Sequence, residues 1–170
     1  MHNMVLVHFV AAAGNSAMDA SGQSPANEPS IVTVGAVDSG NKMAYFSNFG
    51  SVLDVFALGV NVQAAYIGNP QATRNLSGTS MASPAVAGTL AVELSKLGKT
   101  SPAVLQNSLK QNAKTVVTGQ PDGTTYAPIS SVITAMMLTE YSQKPPGLEM
   151  VTPLSVLGHP PNGLDIEGLG

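Results

Sequence analysis

Ser80 lies in Gly78-Thr79-Ser80-Met81-Ala82-Ser83-Pro84, a run of small and polar residues between two differently patterned stretches. Arg74 to Ser77 reads as a short extended segment. Beyond the run, Val86, Leu90, Leu94 and Leu97 recur at helical spacing with alanine between them, the pattern of a buried helix. Ser80 therefore falls at a helix start, where unpaired N–H groups and the positive end of the helix dipole favour developing negative charge. A serine so placed could be a nucleophile. Thr79 or Ser80 could also be an ordinary N-cap, and spacing by itself favours the cap. Gly78 permits close approach of another backbone, and Pro84 suits the first turns of a helix.

Two further positions carry polar chemistry. Met4 to Ala13 is an almost unbroken apolar run, read as a strand buried on both faces of a parallel sheet, and it ends in Gly14-Asn15. Open α/β sheets bind ligands beyond the C-terminal ends of their strands, although a plain turn is the simpler reading of this dipeptide. His8, inside the run, reads as a core or sheet-face residue. Asp54 interrupts the apolar stretch Val52-Leu53-Asp54-Val55-Phe56. A carboxylate buried there needs backbone N–H groups, a cationic side chain or a metal ion.

The heptapeptide around Ser80 is similar to the nucleophile motif of the subtilisin-like serine peptidases, with Ser80 at the nucleophile position. Ala85 departs from the pattern, since the family usually has histidine there, but that position is outside the catalytic triad. Ala12-Ala13-Gly14-Asn15 resembles the family segment whose asparagine donates to the oxyanion, which assigns Asn15 to the oxyanion hole by resemblance. Ser24 to Pro29 is similar to a stretch of the proteinase K branch. In that branch an aspartate at the Asp54 position, with the backbone carbonyls at the Pro29 and Ile31 positions, holds calcium, so the resemblance implies a structural calcium ion on Pro29, Ile31 and Asp54. It runs from Val7 to Gly98, with a small insertion at Asn69 to Ala72, and persists through Thr115 to Thr125.

Composition limits the alternatives. The chain has 170 residues, long enough for one domain with a core, and it is 44% hydrophobic and only 10% charged, which excludes a disordered polyelectrolyte. A net charge of −3 and the lack of any Lys/Arg cluster argue against nucleic acid or an anionic membrane as partner. With no cysteine, disulfides and thiolate metal sites are excluded. The N-terminal residues do not have the pattern of a signal peptide, although the resembled family is secreted.

In chain order, Ser30–Val37 and Val52–Ala57 are predicted strands and Gly59–Tyr66 an extended segment. Gly98 is read as the C-cap of the helix that opens at Ser80. Ser101-Pro102 starts a second helix to Asn112, with Val104, Leu105 and Leu109 inward. These elements and the resemblance give an α/β fold: the C-terminal half of a subtilisin-like three-layer fold with a mainly parallel sheet, incomplete as given. Residues 1–128 are assigned to a partial peptidase domain, 129–141 to an amphipathic helix, and 142–170 to a disordered Pro/Gly-rich tail.

The function implied is serine-type endopeptidase activity on protein or peptide substrates. In the family the triad runs Asp, His, Ser along the chain. The Asp and His segments precede the strand that opens this sequence, and none of His2, His8 and His159 has the family's flanking residues. The chain as given is therefore expected to be inactive. The alternative is a non-catalytic fragment or peptide-binding module that recognises another chain by strand pairing, with self-association through the exposed sheet edge. A Rossmann-like binding protein is disfavoured because no Gly-x-Gly-x-x-Gly follows any strand.

Overall fold

The computed structural model describes residues 7–121. Strands β1 (Val10–Ala12), β2 (Val32–Val37) and β3 (Val55–Leu58) form a parallel sheet in the order β1-β2-β3. Each residue of β2 is buried, as a central strand requires. Its side chains alternate between two cores. Val32, Val34 and Ala36 join Val55 and Ala57 under the helices, while Val37 joins Phe56, Leu53, Ala13, Ala20 and Ala26 on the other face. Gly35 is needed there, because a Cβ would lie 2.4 Å from the Phe56 ring.

Helix α1 (Thr79–Leu97) crosses all three strands and α2 (Pro102–Asn112) packs beside it, both on one face. Ala82, Val86 and Leu90 of α1 and Leu105 and Leu109 of α2 fill that core. Ser101 caps α2 by accepting from the Val104 N–H, and Gly98 ends α1 at φ 71°, donating its N–H to the Leu94 carbonyl. Between sheet and helix, β4 (Val62–Ala65) and β5 (Thr73–Leu76) make an antiparallel hairpin, with Val62 opposite Leu76 and Ala65 opposite Thr73. The expected insertion at Asn69 to Ala72 is the loop of this hairpin.

Three expectations need correction. The opening strand is not buried on both faces: β1 spans only Val10–Ala12, all half-buried, and Val7 and Phe9 before it are 53% and 61% exposed. Among the described residues β1 pairs only with β2, so it is an edge, and a continuous apolar run reads alike at an edge and at a centre. The second is His8, expected in the core or on a sheet face but half-buried in the segment leading into β1, outside the strand. The third correction concerns helix faces. Leu97 and Val104 are exposed, and Leu94 is only partly buried. A 19-residue helix is about 28 Å long, whereas the longest strand here, six residues, spans about 20 Å, so α1 outruns the sheet it covers. The helix expected at 129–141 and the tail at 142–170 lie outside the described residues.

Candidate functional site

Ser80 is the second residue of α1 and is exposed, and its hydroxyl has no hydrogen-bond partner among the described residues. The start of α1 is pinned to the C-terminal end of the sheet. The Gly78 N–H donates to the Gly59 carbonyl at 2.8 Å. At Gly59, just past β3, a Cβ would lie 2.7 Å from the Ala36 Cβ and 2.8 Å from the Gly78 oxygen, so glycine is what allows the helix start to close on the strand.

Neither Thr79 nor Ser80 is the N-cap of α1; Gly78 is, and it provides no side-chain acceptor. The acceptor comes from across the sheet. Asn15 Oδ1 takes the Thr79 N–H at 2.8 Å and the Thr79 hydroxyl at 3.0 Å, and the Thr79 Oγ1 in turn accepts the Gly14 N–H at 3.2 Å. The loop after β1 and the helix that carries Ser80 are thus tied through one buried threonine. With Oδ1 held this way, the Asn15 Nδ2 makes no hydrogen bond among the described residues and Asn15 itself is exposed. An outward amide N–H beside a helix N-terminus is suited to an anion or a polarised carbonyl oxygen.

The Asn15 loop is shaped by a residue that sequence reasoning missed. Asn48 is fully buried. Its Nδ2 donates to the Ala13 carbonyl at 2.8 Å, its Oδ1 accepts the Ser16 N–H at 2.9 Å and the Met18 N–H at 3.3 Å, and its own N–H donates to the Gly14 carbonyl at 2.9 Å. Gly14, at φ 103°, passes so close that a Cβ would lie 2.4 Å from the Asn48 Nδ2. The available signal was the polar pair Ser47-Asn48 between Phe46 and Phe49, an unusual choice in an apolar setting.

At the other end of the sheet, Asp54 immediately precedes β3 and is 4% exposed. Its Oδ2 accepts the Thr33 N–H at 2.7 Å, and its Oδ1 accepts the Gln106 Nε2 at 2.9 Å and meets the Lys110 Nζ at 2.5 Å. Asp54 lines an open cleft of about 280 Å³ together with Glu28, Pro29, Ile31, Gln106 and Lys110. The structure thus brings Pro29, Ile31 and Asp54 together as the resemblance implied, and adds a lysine that it did not. One carboxylate with carbonyl-bearing neighbours is a donor set suited to a hard cation, which would complete its shell with water. The Lys110 ammonium already supplies one positive charge at Oδ1. Glu28 in the same cleft accepts the Ser30 N–H and hydroxyl, and these hold its carboxyl below the ordinary value.

His8 lies at the N-terminal end of β1, whereas Asn15 follows the C-terminal end. At about 3.3 Å per extended residue the two are on the order of 20 Å apart, so His8 is not brought to Ser80. His2 and His159 are outside the described residues.

Comparison with known proteins agrees with this architecture. The Subtilase family model matches residues 2–131. The chain is 52% identical over 103 residues to Subtilisin-like protease 2 of Pseudogymnoascus destructans, covering 61% of this chain and 26% of that one. It is 48% identical over 120 residues to the Cuticle-degrading protease of Metarhizium anisopliae, covering 69% and 30% respectively. A crystal structure of a cold adapted subtilisin-like serine proteinase superposes with a TM-score of 0.63 at 41% identity, over 66% of this chain and 41% of that chain. The chain thus spans less than a third of the length of these two curated relatives. The family model covers most of the sequence, and the relatives share about half of the residues they align; this chain belongs to the subtilase family.

Proposed function

We propose that Ser80 is the nucleophile of a serine-type endopeptidase and that the Asn15 side-chain amide, with the Ser80 backbone N–H, forms its oxyanion hole. The observation that carries this reading is the exposed, unpartnered hydroxyl of Ser80 at the start of α1, tied through Thr79 to an asparagine whose amide N–H is left outward. In the reaction the Ser80 Oγ attacks a peptide carbonyl, the carbonyl oxygen gathers negative charge, and the helix N-terminus and Asn15 meet that charge. The substrate is a protein or peptide, and the whole protein acts outside the cell.

The hydroxyl proton needs a base, and the base needs a group to orient it. Asn15, Thr79 and Ser80 cannot take that proton near neutral pH, and the described residues place no histidine beside Ser80, so the isolated chain is expected not to turn over peptides. The open edge of β1 is where we assign pairing with a further strand, from another segment or from a second copy. Calcium is the proposed ligand of the Asp54 cleft, where Asp54 and the backbone oxygens of Pro29 and Ile31 would hold it and it would supply positive charge beside the loop before β2.

The test joins this chain to the N-terminal part of the Metarhizium anisopliae relative and treats the fusion and the isolated chain with a fluorophosphonate probe and with casein. The fusion should label at Ser80 and cleave casein, Ser80→Ala should do neither, and the isolated chain should be silent. Labelling of the fusion at any other residue sinks the nucleophile assignment. Ser80-dependent turnover by the isolated chain sinks the claim that it lacks a base.

A further inference from the structure

We propose that Lys110 is a tethered occupant of the cation position at Asp54, so that calcium enters the cleft only by displacing its ammonium. Three observations carry this. The Asp54 carboxylate is already satisfied without an ion, because Thr33, Gln106 and Lys110 fill both of its oxygens. Gln106 and Lys110 are four residues apart on α2, hence on one face, and they present an amide and an ammonium to the same oxygen. Gln106 also reaches the Ile31 carbonyl at 3.4 Å, so α2 engages two of the proposed calcium donors.

The two partners differ in freedom. Asp54 is held in the sheet, and α2 is anchored by buried Leu105 and Leu109, but the Lys110 side chain is about a third exposed on a flexible stem and can swing to solvent. Its place in the last turn of α2 suits a cation in either position. Calcium arriving at Asp54 meets a charge already neutralised by Lys110 rather than a bare carboxylate, which weakens its attraction. Lys110 thus neutralises the Asp54 carboxylate when calcium is scarce.

This inference rests on the calcium reading, and the experiment separates them. Calcium is titrated into the full chain and into Lys110→Met, Lys110→Arg and Asp54→Asn, reading heat of binding and the shift in Tm. Lys110→Met should bind calcium roughly tenfold or more tighter than the unmodified chain and should have a lower Tm in chelator. Lys110→Arg, which keeps the charge, should bind no tighter than the unmodified chain, and Asp54→Asn should bind none. Equal affinity in Lys110→Met and the unmodified chain overturns the competition but leaves the calcium site. Binding by Lys110→Arg clearly tighter than by the unmodified chain also overturns it, a readout that survives if Lys110→Met fails to fold. No binding by any variant overturns both readings.

Discussion

The two ends of the parallel sheet treat polar side chains in opposite ways. At the C-terminal end, beyond β1 and β3, Asn15 is held by one face only: its oxygen is bound by Thr79, and its amide N–H and the Ser80 hydroxyl are left toward solvent. At the N-terminal end, before β3, Asp54 is buried and each oxygen is engaged. The first arrangement orients groups without consuming them, which is what a reacting site needs. The second consumes all that it has, which is what a structural site needs. The same backbone, read at its two ends, separates chemistry from stability.

The sharpest way to break this contrast is Asn15→Ala in the fusion enzyme. Turnover should fall about 10² to 10³-fold, the magnitude established for such a donor in a subtilisin, beyond the loss of about 1 kcal/mol in stability expected when the Thr79 N–H and hydroxyl lose their acceptor. A loss confined to stability would put Asn15 in the same class as Asp54. The mirror experiment is Asp54→Ala, which strands the Thr33 N–H and the Lys110 ammonium in one step. It should cost about 3 kcal/mol in urea unfolding of the full chain, whereas Lys110→Met, at a partly solvent-screened position, should cost about 1 kcal/mol or less. Equal costs would mean that the pair, and not the buried carboxylate, dominates.

Asn48→Ala comes next. It removes three side-chain hydrogen bonds from a buried position and should cost about 2 kcal/mol, while also lowering turnover of the fusion because the loop that aims Asn15 loses its clamp. An unchanged turnover would show that Thr79 alone positions Asn15. The smallest expected effect is in pH. Donation from the Ser30 N–H, and then from its hydroxyl, lowers the Glu28 carboxyl from its ordinary value of 4.5. Because the folded value is the lower one, this contribution is complete above 4.5 and is lost as pH falls through the folded value. Urea midpoints should decline below that pH, and Glu28→Gln should flatten the decline slightly.

The segments at Ser80 and Asn15 are runs of consecutive residues, so their resemblance to family segments was visible in the sequence, although residue types alone favoured an N-cap at Ser80 and a plain turn at Gly14-Asn15. The Asp54 cleft was only half legible. Its expected donors Pro29, Ile31 and Asp54 do meet, but Gln106 and Lys110 arrive from a helix about fifty residues later, and a lysine in the last turn of a helix looks like a solvated charge. Asn48 escaped for the same reason: its partners Ala13, Ser16 and Met18 lie 30 to 35 residues earlier.

Local order was set by the sequence alone. Ser101 and Gly98 bound their helices, and helical spacing selected Val86 and Leu90 for the core. These signals act within a turn of helix or a pair of residues, so no distant partner is needed to read them. Only the tertiary structure decided that β1 is an edge among the described strands, that α1 overhangs the sheet, and that Lys110 faces Asp54. Each depends on which segments become neighbours in space, and that is settled by strand order and helix docking, which the burial of the whole core determines at once.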